Sequence, residues 1–290
     1  MTRGGPSGSS RSGGHSTHPV RDRRHTLHFL EYAAAQRPVH LDTDIDMTHA
    51  LAHRAAADRH YSTVTYVLHA AGRVLARHPE ANAVLAPGHR RRPRIVRFTE
   101  VTGKLALDAT VPGGDRIVLS ALVPALESAS LADIQDRVDR YRNAPAPAAL
   151  PEFARVRTLA RLPAWLGRIA FAAALRDPRR RPSLLGTVSV SSLGHRPVDG
   201  FHSTGGSALT LTCGRTAPRP VVRDDGRIEA APLMRLGLTF DHRVLDGATA
   251  ADVLADLKSA LESEWATQHT GHTAAVTPLR PLHKAATDPQ

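Results

Sequence analysis

The sequence predicts an α+β protein built as a mixed-sheet, two-layer sandwich. Strand patterns and helix patterns succeed each other irregularly along the 290 residues, without the repeated βαβ order of a doubly wound fold. Apolar residues make up 41% of the chain, which is enough for one large core. We find no internal repeat, no glycine-rich phosphate loop and no metal-ligand spacing. These observations favour one domain of mixed secondary structure.

The two ends of the chain differ in composition from its middle. Residues 1–20 are rich in Gly, Ser and basic residues and hold almost no large apolar side chains, so burial cannot offset the entropy of ordering them. Residues 266–290 are similarly polar. We therefore predict a flexible basic arm over 1–20, one folded domain over 21–265 and a flexible tail over 266–290.

The chain is strongly basic, with a formal net charge of +11. Such a charge suits nucleic acid or a phosphate-bearing small molecule. The densest basic runs, 89–97 and 176–182, contain no interleaved aromatic residues, and nearly all of the basic residues are arginines scattered along the chain. We therefore place nucleic-acid binding last and favour an anionic small molecule.

The cysteine content and the hydropathy of the chain indicate the cellular compartment in which the protein works. Cys213 is the single cysteine, so the chain can form neither an internal disulfide nor a cysteine-based metal site. This fits a reducing compartment. No apolar run reaches the roughly 18 residues that a membrane span needs, and the amino terminus has no apolar signal segment. We expect a cytoplasmic protein with no bound metal and no membrane contact.

The first elements are predicted from apolar periodicity. Residues 39–47 alternate apolar and polar side chains, as a half-buried strand does. Residues 62–80 space their apolar side chains at helical intervals, with Ser62 as a cap and Pro79 just past the end. These two patterns predict a strand followed by a long helix.

The middle of the chain predicts short strands and a second helix. The strand candidates are 94–98, 104–111 and 116–123. Residues 130–142 then form an amphipathic pattern that begins with a capping box, Ser130 to Asp133. The proline-rich stretch 143–151 ends this helix.

The most apolar segment of the chain is 159–175. A membrane-surface helix is one interpretation, but Arg161, Pro163 and Arg168 interrupt the segment and no large basic face accompanies it. We favour burial in the core or against another subunit. The strands and helix predicted after it are 186–194, 207–214, 233–240 and 247–263.

A histidine stands where the last predicted strand runs into the last helix, in the stretch DHRVLDG. The pKa of a histidine lies near neutrality, so His242 could act as a general base. Asp246 could shape the loop by ion pairing or by capping the helix that starts at Gly247. A structural histidine beside a capping aspartate would produce the same local pattern.

The stretch DHRVLDG resembles the D-H-R-x-x-D-G signature of the acyltransferase component of the 2-oxo-acid dehydrogenase complexes. It is also similar to the H-x-x-x-D-G signature of chloramphenicol acetyltransferase. Other segments resemble helices and strands of this family: 23–51, 74–85, 186–194 and 207–215. The resemblance spans residues 21–263. It implies a chloramphenicol acetyltransferase-like fold and makes 21–265 an acyltransferase catalytic domain.

The resemblance also implies roles for single residues. His242 would be the general base that deprotonates a thiol, either of coenzyme A or of a dihydrolipoyl arm. The hydroxyl of Ser191 would stabilise the oxyanion, a contribution of about 3 to 4 kcal/mol. Asp246 would be an orienting group paired with an arginine near the amino terminus, Arg24 or alternatively Arg23.

Some of these assignments have ordinary alternatives. Ser191 could be a plain strand residue, and either arginine could be solvated surface charge. Arg243 and Gly247 match the signature as structural or orienting residues, as Asp241 does, and we derive no chemical step for them.

The resulting hypothesis is a free-standing acyltransferase that moves an acyl group between coenzyme A and a second thiol. Full-length family members carry a lipoyl domain ahead of the catalytic core. Nothing of that pattern precedes residue 21, so we expect no covalently attached lipoyl group, and a lipoyl or acyl-carrier domain supplied in trans. The resemblance further implies a homotrimer in which His242 of one chain faces Ser191 of the next.

Two alternatives remain open. The acceptor could be the hydroxyl or amine of a small molecule, as in chloramphenicol acetyltransferase. The chain could also be a non-catalytic trimeric scaffold. Two departures from the family concern the pocket: "HSTGGS" (202–207) replaces a proline-containing segment, and the "LPAWLGRIAF" segment is longer than its counterpart.

Overall fold

The computed structural model describes residues 23–86, 93–110 and 116–266. The predicted arm, 1–20, and all but the first residue of the predicted tail, 266–290, lie outside the described residues. The helices are α1 (Arg24–Ala33), α2 (Thr48–Ala56), α3 (Thr63–Arg77), α4 (Leu131–Arg142), α5 (Ala154–Arg161), α6 (Ala164–Ala174), α7 (Pro182–Leu185) and α8 (Gly247–Ser263). The strands are β1 (Pro38–Asp46), β2 (Ala83–Leu85), β3 (Ile95–Arg97), β4 (Gly103–Thr110), β5 (Arg116–Val123), β6 (Val188–Ser192), β7 (Leu209–Val222) and β8 (Ile228–Asp241).

Six of these strands form one mixed sheet in the order β1-β8-β7-β6-β4-β5. Strand β6 runs parallel to both of its neighbours, β4 and β7, and the other pairs are antiparallel. Strands β2 and β3 form a separate antiparallel pair. The mixed-sheet α+β class predicted from the sequence is confirmed. Among the described residues, no helix is both long enough and apolar enough to cross a membrane.

The core lies between one face of this sheet and the helices α3 and α8. Helix α3 forms because apolar residues cover most of its surface, and Val67 and Leu68 are completely buried. From the sheet, alternate side chains such as Val188 and Val190 point into the same core. Burying a large apolar side chain contributes about 1.5 to 3 kcal/mol, so this layer holds the sheet in place.

The capping predictions have different outcomes. The box at the start of α4 is confirmed, since Ser130 Oγ accepts from the backbone N–H of Asp133 at 3.1 Å and Asp133 accepts from that of Ser130 at 3.2 Å. Ser62 does stand at the N-cap position, immediately before the first residue of α3, but its side chain makes no capping hydrogen bond. Its hydroxyl bonds instead to Thr65 Oγ1 at 2.9 Å.

The last two strands are longer than predicted. Strands β7 and β8 continue beyond residues 207–214 and 233–240 as a hairpin that extends to Val222 and Ile228. Prolines in this extension concealed it, because proline is uncommon inside strands. The extension ends in exposed apolar side chains, including those of Val222 and Ile228.

Of the two locations predicted for 159–175, burial of the whole segment in the core of this chain is wrong, and burial against another subunit stays a prediction. The segment ends α5 and forms α6, with Pro163 between the two helices. On α6, Trp165 is 65% exposed and Ile169 is 57% exposed. The reason is geometric, since α6 packs on α1 and α5, while the face that carries Trp165 and Ile169 is left exposed within the described residues.

Candidate active site

His242 follows the last residue of β8, at the end of the central sheet. Its backbone N–H donates to the carbonyl oxygen of Arg37 at 2.9 Å, which fixes the main chain. Its ring meets that of Phe240 edge-on, with the centroids 5.6 Å apart. The side chain is nevertheless 49% exposed. The backbone is held rigidly, therefore, while the imidazole can reach a ligand.

One ring nitrogen of His242 is occupied by the loop. Nδ1 lies 3.1 Å from the carbonyl oxygen of Leu245. A carbonyl oxygen can only accept, so Nδ1 must carry the proton and donate it. In the neutral imidazole the lone pair then sits on Nε2, the nitrogen that points away from the loop. This is the tautomer that a general base requires.

Asp246 lies beside the histidine. Its Oδ1 is 3.7 Å from His242 Nδ1, and its side chain is 89% exposed. Asp246 occupies the position before Gly247, where α8 begins, but its side chain accepts no capping hydrogen bond. Arg24 Nη1 donates to the carbonyl oxygen of Leu162 at 2.9 Å. Among the ion pairs of the described residues, none joins Asp246 to Arg24 or Arg23.

Two further signature residues, Asp241 and Arg243, form a clamp at the end of the strand. Asp241 is only 4% exposed and accepts hydrogen bonds from Arg243, with Nη2 at 2.6 Å and Nε at 2.9 Å. It also accepts from the backbone N–H of Arg37 at 3.2 Å. Burial alone would raise the pKa of Asp241, but these bonds outweigh burial and lower the pKa below its ordinary value. The clamp keeps the carboxylate charged and holds the loop that carries His242.

Ser191 stands near the end of β6, on the face of the sheet opposite the core. Its neighbours Val188 and Val190 point into the core, so Ser189 and Ser191 point the other way. Ser189 Oγ is bonded to Ser207 Oγ at 2.7 Å. The hydroxyl of Ser191 is half-buried and makes no hydrogen bond to another described residue.

Within one chain, Ser191 and His242 are far apart. Ser191 is level with Thr212 on β7 and with Gly237 on β8, and His242 lies five residues beyond Gly237. With about 3.3 Å per residue and 4.8 Å between strands, their Cα atoms are roughly 20 Å apart. A single chain therefore does not bring the two predicted catalytic residues together.

A groove of about 500 Å³ opens at the end of β6. It is lined by Leu51, Arg54, His60, Ser62, Thr63, Val64, Arg142, Ser192, Gly194, His195, Gly214, Thr216, Ala217, Pro218 and Pro232. Arg54 and Arg142 bring positive charge and no carboxylate lines the groove. This volume is typical of a small-molecule site. The sequence analysis missed it because its lining comes from helices and strands that are distant in the chain.

Two buried cations lie under the 202–207 segment. Lys104 is 5% exposed, and its Nζ donates to the carbonyl oxygen of Gly205 and lies 4.5 Å from the ring centre of Phe29. Arg181 is 4% exposed and donates to Gly206 O at 3.0 Å. Burial, together with the nearby charge of Arg181, lowers the pKa of Lys104 to about 7. No sequence pattern indicates this pair of residues, apart from the rarity of lysine in the chain.

The described residues contain neither a reactive thiol nor a cluster of metal-binding side chains. Cys213 is buried, and burial raises the pKa of its thiol to about 12, so it is not a reactive thiolate. Within residues 23–86, 93–110 and 116–266, no three His, Cys, Asp or Glu side chains are grouped so that they could hold a metal ion.

The fold and the loop that carries His242 can be compared with those of known proteins. Residues 183–268, which include Ser191 and His242, match the family described as 2-oxoacid dehydrogenases acyltransferase (catalytic domain). The chain is similar in structure to chloramphenicol acetyltransferase, with a TM-score of 0.51 at 14% identity over 84% of this chain and 96% of that one. The family resemblance and the chloramphenicol acetyltransferase-like fold expected from the sequence are confirmed.

Two acetyltransferases are among the proteins to which this chain is similar. Dihydrolipoamide acetyltransferase from Azotobacter vinelandii has a TM-score of 0.64 at 22% identity, over 92% of this chain and 99% of that one. The dihydrolipoyllysine-residue acetyltransferase component of the pyruvate dehydrogenase complex from Bacillus subtilis (strain 168) is 51% identical over 51 residues, which is 18% of this chain. The match covers 11% of the Bacillus protein. The relatives are acetyltransferases by name, and the curated one is much longer than the segment it shares with this chain.

Proposed function

We propose that this protein is an acyltransferase that moves an acyl group between coenzyme A and a second thiol. The observation that carries the proposal is the state of His242, whose Nδ1 is held by Leu245 O while Nε2 is left with a lone pair. A thiol with an ordinary pKa of about 8.5 is mostly protonated at pH 7, so a base placed beside it accelerates its attack. The family match and the names of the relatives support this class of reaction.

The proposed reaction exchanges one C–S bond for another, and His242 carries the single proton that has to move. Nε2 of His242 takes the proton of the attacking thiol, and the thiolate forms a new C–S bond to the thioester carbonyl. The hydroxyl of Ser191 donates to the oxyanion of the tetrahedral intermediate. When the intermediate collapses, the original C–S bond breaks and the imidazolium returns the proton to the departing thiolate. Asp246, 3.7 Å from Nδ1, favours the transient imidazolium.

A solved relative supports these assignments. The structure from Azotobacter vinelandii was part of an investigation of a serine, a histidine and an asparagine in the catalytic mechanism of that enzyme. The histidine and the asparagine are four positions apart there. His242 and Asp246 have the same separation, with an aspartate in place of the asparagine.

The groove beside β6 is the proposed binding site for the nucleotide end of coenzyme A. Arg54 and Arg142 can pair with its phosphates, and arginine is well suited to phosphate geometry. Ser192, which follows Ser191 on β6, lines the groove, so the groove opens at the same end of the strand that carries the proposed oxyanion donor. The absence of lining carboxylates fits an anionic ligand.

The separation of about 20 Å between Ser191 and His242 supports an oligomer. We propose a homotrimer in which His242 of one subunit faces Ser191 of the next, so that the thiol and the thioester meet between subunits. A lipoyl or acyl-carrier domain on another protein would supply the second thiol.

The experiment that tests the function measures the S-acyl-dihydrolipoamide and free coenzyme A formed from a panel of acyl-CoAs with dihydrolipoamide as acceptor. The two products are separated by chromatography, because the exchange leaves the total thiol concentration unchanged. His242→Ala should lower kcat by about 10² to 10⁴. The matched control is His49→Ala, because His49 is an exposed histidine on α2. Equal rates for the wild type and both variants, across thiol, hydroxyl and amine acceptors, would overturn the enzyme proposal and favour a scaffold.

A further inference from the structure

The helices α5 and α6 present a surface that the proposed reaction does not use. The exposed face of α6 carries Trp165, Leu166 and Ile169, with Arg168 beside them, and Arg161 ends α5. We call these five residues the α5–α6 surface. The two helices precede the region that matches the family model, which begins at residue 183.

Charge is concentrated in this part of the chain. Residues 154–181 contain eight arginines and one aspartate, a net charge of +7 out of +11 for the whole chain. The exposed arginines there that form no ion pair with another described residue are Arg155, Arg161, Arg168, Arg176 and Arg179. An apolar centre with a rim of a single charge is a recognised form of protein interface, and Trp and Arg dominate the binding energy of such interfaces.

The surface is built rigidly onto α1. At Gly167, on the inner side of α6, an added Cβ would come within 2.8 Å of His28 Nε2, so a larger residue there would force the helix or the His28 ring to shift. Phe171 contacts Tyr32 edge-on at 6.2 Å and His28 at 6.5 Å. The exposed apolar side chains therefore belong to a packed helix, whose inner face is already satisfied.

A short chain of contacts joins this helix to the candidate active site. The ring of Tyr32 lies 5.2 Å from the guanidinium of Arg181. Burial raises the pKa of Tyr32, while the charges of Arg181 and then Arg243 oppose the rise. Arg243 is the clamp residue next to His242. Phe171 and Tyr32 thus connect the inner face of α6 to Arg181, and the charge of Arg243 beside His242 acts on the same tyrosine.

We infer that the α5–α6 surface docks an acidic protein domain that carries the second thiol on a flexible arm. Charge complementarity selects this occupant, since an acidic domain would meet the unpaired arginines. A second copy of this chain that presented the same face would place +7 against +7, which opposes a two-fold contact through this face. The identity of the domain as a thiol carrier rests on the proposed function, whereas the preference for an acidic protein rests on the surface itself.

The test compares two forms of the same thiol: free dihydrolipoamide and a purified acidic lipoyl domain that bears a dihydrolipoyl-lysine. Trp165→Ala and the double variant Arg161→Glu/Arg168→Glu should each raise the KM for the domain about tenfold, with kcat and the KM for free dihydrolipoamide unchanged. The effect should shrink as salt is raised. Titration calorimetry should show the same rise in the Kd for the domain.

Matched controls keep the test specific. Ile228→Ala removes an exposed apolar side chain from the end of the β7–β8 hairpin, and Arg137→Glu reverses an exposed charge on α4. Both should behave as the wild type. An equal KM for the domain in all of these proteins would overturn docking, while turnover of free dihydrolipoamide would leave the proposed function intact.

Two further outcomes would overturn the inference. A change in sedimentation of the Trp165→Ala variant would show that a second copy covers the surface. Loss of binding to phosphatidylglycerol vesicles, with the domain Kd unaltered, would show that the surface serves a membrane. If the wild type turns over no thioester at all, the proposed function fails, and the calorimetric Kd still decides the docking.

Discussion

Asp246 Oδ1 lies 3.7 Å from His242 Nδ1, whereas Leu245 O lies 3.1 Å from the same nitrogen. The carbonyl oxygen therefore sets the tautomer, and the carboxylate contributes mainly by its charge. Because Asp246 is 89% exposed, water screens that charge strongly.

The first prediction follows from this geometry. Asp246→Asn should lower kcat by less than about tenfold, because a screened ion pair contributes little. His242→Ala should cost far more. Steady-state kinetics on both variants provides the measurement. Equal losses in the two would mean that Asp246, rather than Leu245 O, orients the ring.

Ser191→Ala should lower kcat by about 10² to 10³, with little change in KM, because an oxyanion donor acts only in the transition state. Ser183→Ala, an exposed serine on α7, is the matched control. Full activity in Ser191→Ala would make Ser191 an ordinary strand residue.

Mixed oligomers test whether the site lies between subunits. His242→Ala and Ser191→Ala chains, each inactive alone, should recover about a quarter of the native sites when co-expressed in equal amounts as a cyclic trimer. Activity of the purified mixture, compared with each parent, gives the answer. If mixed trimers recover no activity, either both residues belong to the site of one chain or one of them takes no part in catalysis.

The groove predicts a separable effect on coenzyme A. Arg54→Ala and Arg142→Ala should each raise the KM for acyl-CoA about tenfold or more, since each removes a charge-assisted bond to phosphate. The turnover number should stay near that of the wild type. Arg97→Ala, an exposed arginine on β3, is the control. An unchanged KM in both groove variants would mean that the nucleotide end of coenzyme A binds outside this groove.

Lys104 predicts a pH dependence of stability. Burial lowers its pKa to about 7 in the folded protein, so between pH 7 and about pH 10 the unfolded chain holds a proton that the folded chain has released. Stability should rise with pH in this window, by up to about 1.4 kcal/mol per pH unit.

The measurement is urea unfolding at pH 7 and pH 9, compared between the wild type and Lys104→Met. The variant keeps a side chain of similar length and should lose this part of the pH dependence. Identical slopes in both proteins would mean that Lys104 stays protonated when folded.

Much of the fold was accessible from the sequence because its signals are local. The alternation in 39–47 predicted β1, and the helical spacing in 62–80 predicted α3, each within a few residues. The capping box at Ser130 follows from two residues three positions apart. The prolines of the β7–β8 extension and Pro163 weakened the same signals where the prediction failed.

The pattern of strands and helices, the mixed class of the fold and the resemblance carried by the loop around His242 can all be predicted from the sequence, since each depends on neighbours in the chain. Tertiary packing was needed to establish the hydrogen bond from His242 to Leu245, the groove around Arg54 and Arg142, the burial of Lys104 and the exposure of Trp165. These depend on which distant segments pack together, and the register of β6 on β7 and β8 sets the distance between Ser191 and His242. Side-chain periodicity specifies a face but not the partner that meets it.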